Sequence, residues 1–126
     1  MRVIVITCII IALIISLGLL SINMLVNNTK TLGSLITRIE DEIMNGRWEE
    51  AVKIENQLKY QWEKYKKIWP MLIDHADVDK VTTYLCELEV FITKKDEIMA
   101  ASRLAVLKLL MQNIPEKEYV ILQNIF

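Results

Sequence analysis

From Val3 to Val26 the chain carries no charged side chain, and 19 of those 24 residues are apolar. Only Thr7, Ser16, Gly18, Ser21 and Asn23 interrupt the run. A helix rises about 1.5 Å per residue, so roughly 20 residues cross the ~30 Å hydrocarbon core of a bilayer. Val3 to Ile22 supplies 20. A helix also pairs its own backbone donors and acceptors, as lipid requires. The stretch predicts a transmembrane helix that meets the bilayer through residues 3–26, and an anchor segment 1–28.

A cleaved signal peptide is the competing reading, because Ser16-Leu17-Gly18 places small residues where a peptidase would need them. Apolar character continues past that point through Leu19, Leu20, Ile22, Leu25 and Val26, which favours a retained anchor. Arg2 flanks one end of the stretch, and Lys30 and Arg38 flank the other. The positive-inside rule is therefore nearly balanced. A short tail followed by one anchor most often leaves the tail inside, so the expectation is a single-pass protein of the cell membrane with an extracytoplasmic body.

The body, residues 29–126, is expected to be all-α. The whole chain of 126 residues has only 3 Gly and 2 Pro, too little turn material for a many-stranded sheet. Leu32, Leu35, Ile36, Ile39 and Ile43 recur at helical spacing. Asn27–Thr31 reads as a polar juncture before that helix, and Asn45-Gly46 as its end. A second helix begins near Arg47, with Glu49 and Glu50 in its first turn. It carries a seam of Trp48, Ala51, Glu55, Leu58, Trp62, Tyr65 and Trp69, and Pro70 closes it.

After an Asp74-His75-Ala76-Asp77 joint, with Asp77 as the expected N-cap, a third seam runs Val78, Val81, Leu85, Leu88, Ile92. Asp96 caps a fourth helix with Ala100, Leu104, Leu107, Met111 and Ile114 on one face. Pro115 is expected to stop it. A short last helix would then pack Tyr119, Leu122 and Phe126 back on the body. Short joints between such helices give an antiparallel bundle or stacked hairpins.

Charge and chemistry narrow the function classes. Lys and Arg number 15 against 16 Asp and Glu, without the basic excess of a nucleic-acid binder. The Asp74–Asp79 cluster fails as a calcium loop in either frame: from Asp74 the twelfth position is Leu85, and from Asp77 it is Leu88. With one His and 2 Cys, no metal, cofactor or catalytic set is expected. Cys86 beside Leu85 reads as a small buried hydrophobe. The candidate interaction or sensing residues are Trp48, Trp62, Trp69, Asp74, His75 and Phe126. The tryptophans at helical spacing also fit a core.

The order of these features carries a resemblance. A Trp48-x-x-Ala51 helix, a second tryptophan at Trp62, an Asp74-His75 joint and a closing Asn124-Ile125-Phe126 follow an N-terminal apolar segment. This layout resembles the bacterial domain of unknown function 4363 family, small membrane-anchored proteins of sporulating Gram-positive bacteria. Phe126 stands where the family has an aliphatic residue. The resemblance implies a location and a helical fold, and no activity. The expected role is a non-enzymatic interaction or accessory module facing an integral-membrane or envelope protein, with self-association allowed. The alternative is a ligand- or pH-responsive subunit with a pocket near His75 and the tryptophans.

Overall fold

The computed structural model describes residues 1–125, and the expected role of Phe126 lies outside the described residues. Four helices account for nearly all of them: α1 (Arg2–Met44), α2 (Trp48–Tyr65), α3 (His75–Thr93) and α4 (Glu97–Ile125). They run up-down-up-down. α1 packs along both α2 and α4, and α3 packs along α4 with a lighter contact to α2. That is a four-helix antiparallel bundle rather than stacked hairpins.

α1 is one helix of 43 residues, roughly 64 Å long. It passes straight through Asn27–Thr31, so the expected juncture does not exist and the 28/29 boundary falls inside a helix. The polar side chains there turn inward on their own helix. Thr29 Oγ1 donates to Val26 O at 2.9 Å and Thr31 Oγ1 to Asn27 O at 3.1 Å. Such back-bonding lets capping-type residues sit inside a helix. Thr29 is also 4% exposed, on the same stripe as Leu25, Leu32, Ile36, Ile39 and Ile43.

Two of the three tight connections share one capping geometry. Past α1, Gly46 adopts φ 72°, its N–H donates to Ile43 O, and the Arg47 N–H donates to Glu42 O. Past α3, Lys95 does the same at φ 55°, with N–H bonds from Lys95 to Ile92 O and from Asp96 to Phe91 O. Both are Schellman caps, which satisfy carbonyls that a helix end would leave unpaired. Lys95 takes a left-handed position that favours glycine, a choice its sequence did not advertise.

Three further expectations are corrected. α2 ends at Tyr65, and Trp69 lies on a separate 3-10 turn, Trp69–Met71, with Pro70 at its start. The three tryptophans are therefore not on one helix. Asp74, not Asp77, caps α3: its side chain accepts from the Ala76 N–H at 3.0 Å. Pro115 does not stop α4, which continues to Ile125. An internal proline costs a helix about 3 kcal/mol; here the turns on either side are held by buried Ile114 and by Leu122 against α1.

The apolar seams themselves fill the core. Val78, Val81, Leu85, Leu88 and Ile92 of α3 are buried, as are Ala100, Leu104, Leu107, Met111 and Ile114 of α4. Cross-helix polar links lie around this core: Lys59 to Glu89 at 2.8 Å, Lys108 to Glu40 at 3.0 Å, Lys117 to Asp77 at 3.1 Å, and Arg103 to Glu87. Most sit in solvent, where such pairs add little stability.

Candidate functional site

The five singled-out residues that are described, Trp48, Trp62, Trp69, Asp74 and His75, do not converge on one place. Trp48 opens α2 and lies half-buried at the Gly46–Lys95 end of the bundle. Trp62 and Trp69 are 2% and 0% exposed, at the opposite end. Asp74 serves as the α3 cap and His75 is an exposed first-turn residue. Cys86, expected inside, is exposed, because one step from Leu85 turns it about 100° off the seam. Among the described residues, no group of three His, Cys, Asp or Glu side chains is placed to hold a metal ion.

The end that holds Trp62 and Trp69 carries a hydrogen-bonded aromatic cluster. Their rings meet edge-to-face at 5.0 Å, and Tyr65 stacks parallel to Trp69 at 6.3 Å. The Trp62 indole donates to Thr82 Oγ1 at 3.1 Å, and the Thr82 hydroxyl donates in turn to Val78 O at 3.0 Å. The Asn28 amide, oriented by its surroundings, accepts from Trp69 Nε1 at 3.2 Å and donates to Met24 O at 3.3 Å. A buried indole needs such a partner. These bonds fix the aromatic cluster to the middle of α1.

Below the cluster, α1 and the last turns of α4 enclose an apolar groove of about 210 Å³. Gly18, Ser21, Ile22 and Leu25 line one side, and Glu118, Ile121, Leu122 and Ile125 the other, with Leu72 above. A Cβ on Gly18 would stand 3.3 Å from Leu122 Cδ1, so the missing side chain makes room here for Leu122 against α1. Beyond Ile15 the rest of α1 is bare: Val3 to Ile14 are exposed, including Ile9, Ile10, Ile11 and Leu13 at 50% or more.

Two carboxyl environments matter. Burial raises the Glu118 carboxyl above its ordinary value; Lys117 opposes this, and Asp77 and Asp74 add to it. Glu55, 3% exposed, is raised chiefly by burial, against the pull of Lys59 and with help from Glu89. Its Oε1 has no hydrogen-bond partner among the described residues, and Lys59 Nζ stands 3.9 Å away while bonding Glu89 instead. Sequence spacing put Glu55 on the seam but gave no sign that its charge would be left short of partners. Leu25, Asn28 and Thr29 were also missed, and the lone glycine of the apolar stretch, Gly18, was the available signal for the α4 contact.

These features define an all-helical bundle whose first helix is long and apolar enough to cross a membrane and continues past the bundle as an exposed apolar rod. The chain belongs to the family described as Domain of unknown function (DUF4363), whose model matches residues 19–125. The match takes in the bundle with the last turns of α4 and leaves out the bare stretch up to Gly18. No curated protein and no solved structure matches the chain significantly.

Proposed function

We propose that the protein is a membrane-tethered helical module that works by contact rather than by catalysis, held single-pass in the cell membrane with its bundle on the extracytoplasmic side. The observation that supports this most is the bare apolar half of α1, whose most hydrophobic window is 0% buried within the protein. In water such a surface is costly at about 25 cal/mol per Å² of apolar area; in lipid it needs no cover. Tethering confines the bundle to a thin layer and raises its effective concentration toward membrane neighbours. Its partner is then an integral-membrane or envelope protein, and the exposed Tyr60 and Met71, 65% and 77% open, are suitable positions for a photo-crosslinker.

The test uses thiols the chain already has. Cys86 is exposed on the bundle and Cys8 lies in the apolar stretch. A membrane-impermeant maleimide added to intact cells should label Cys86 in a Cys8→Ser background, and alkaline carbonate should leave the full-length protein in the membrane pellet. Labelling that appears only after permeabilisation reverses the orientation. Extraction by carbonate sinks the tether. The sensing alternative gains no support at His75: the groove by Gly18 is lined by other residues, and Trp62 and Trp69 fill core.

A further inference from the structure

The bundle and the span compete for the same turns of α1. Arg2 bounds the uncharged stretch at one end. From Ile15 onward α4 lies along one side of α1, with Tyr119 and Leu122 beside Ile15 and Leu19, while Leu17 and Leu20 stay open on the other. The clear part, Val3 to Ile14, is 12 residues, or roughly 18 Å of helix. That length does not cross ~30 Å of hydrocarbon. An α1 that spans needs the further turns to Ile22, and those turns bring the end of α4 with them.

The composition of α4 changes at the matching level. Glu118 is its last charged residue; Tyr119 to Ile125 carries none. In these turns Tyr119, Val120, Ile121 and Ile125 are 51%, 48%, 43% and 69% exposed, with Tyr119, Ile121 and Ile125 opening onto the grooves beside α1. One layer higher the character is that of a headgroup zone. The buried Trp69 marks the level of Asn28, roughly 9 Å along the helix from Ile22, and Lys64 and Lys67 are exposed with Glu63 on the chain leading to it. Lysines at such a level reach their ammonium groups to the lipid phosphates.

We infer that Tyr119–Ile125 enters the hydrocarbon of the body-side leaflet alongside α1, with lipid acyl chains occupying its exposed face and the groove by Gly18. This rests on the spanning reading of α1 proposed above. The depth from Ile22 to Ile15 is roughly 10 Å, as far as interfacial helices sink.

Spin labelling of the full-length chain in phosphatidylcholine vesicles tests it. In a Cys8→Ser, Cys86→Ser background, Leu13→Cys, Ile98→Cys, Val120→Cys and Ile125→Cys each carry one nitroxide. Collisions with dissolved oxygen should exceed those with a water-soluble nickel chelate at 13, 120 and 125. The order should reverse at Ile98, which is 82% exposed near the start of α4. If 120 and 125 behave like 98 while 13 remains lipid-like, the inference falls and the spanning reading stands. Nickel-rich collisions at 13 as well remove both. Low collision with either reagent at 120 and 125 places protein on this face, a second copy included, and overturns the lipid assignment.

Discussion

On either side of Leu25, α1 differs sharply: residues 2–24 hold 12 isoleucines and leucines and residues 26–44 hold 5, yet it is the richer side that is bare. Ile11 is 50% exposed and Ile39 is 0% exposed on the same continuous helix. Around Ile11 nearly every position is apolar, so no face is distinguished and no neighbour can cover it. Around Ile39 the apolar residues step by three and four between Thr37, Arg38, Glu40 and Asp41, so one face meets α2 and α4 and the other meets water. Arrangement rather than quantity of hydrophobic residues decides which part of the helix becomes core.

Substitutions at matched positions probe that contrast. Ile39→Ala should lower the unfolding free energy of the full-length chain in detergent micelles by about 2–5 kcal/mol, while Ile11→Ala should leave it unchanged. Equal losses would mean that the bare half is part of the packed unit. Ile11→Lys should oppose membrane insertion by about 2.5–3.5 kcal/mol and move protein into the carbonate-soluble fraction, with the bundle's melting temperature unaltered. The two helical glycines offer a finer comparison. Gly33 has nothing within 4 Å of an added Cβ, so Gly33→Ala should stabilise the bundle by about 1 kcal/mol. Gly18→Ala should gain less, because Leu122 has to give way.

The smallest expected effect concerns charge. Core-facing Glu55 has its pKa raised in the fold, chiefly by burial. Its carboxyl is therefore easier to accommodate protonated, and the stability it contributes is present below its ordinary pKa and lost as pH rises through the raised value. The melting temperature should climb modestly as pH falls from 7 toward 5, and Glu55→Gln should flatten that climb. An unaltered slope in the variant would assign the pH response to other groups.

The seams were legible because burial imposes a period on the sequence: every apolar residue assigned to the α3 and α4 faces, from Val78 to Ile114, is buried. The breaks were less legible, because a break depends on where partners lie. Asn27–Thr31 has the residue types of a cap, but its hydroxyls bond within α1 and Asn28 meets Trp69 from another element. Pro115 carries a stop signal that contact with α1 overrides. Lys95 sits in a left-handed cap with no glycine to mark it. At the candidate site the tryptophans were recognisable as core, whereas the Gly18–Leu122 approach joins residues about a hundred positions apart and has no local signature.

The uninterrupted passage of α1 through Asn27–Thr31 has a mechanical consequence. A body on a loose linker sweeps a hemisphere and tilts freely; a body sharing one rod with its anchor has neither freedom. With α1 in a bilayer as proposed, the end of α1 at Met44 stands at a set height, 22 residues past Ile22, or roughly 33 Å. The bundle then acts as a gauge: a neighbour that reads the Trp48 end must stand that tall beside it, one that reads Met71 must lie close to the lipid, and any turn of the anchor about its axis swings both faces through the same angle.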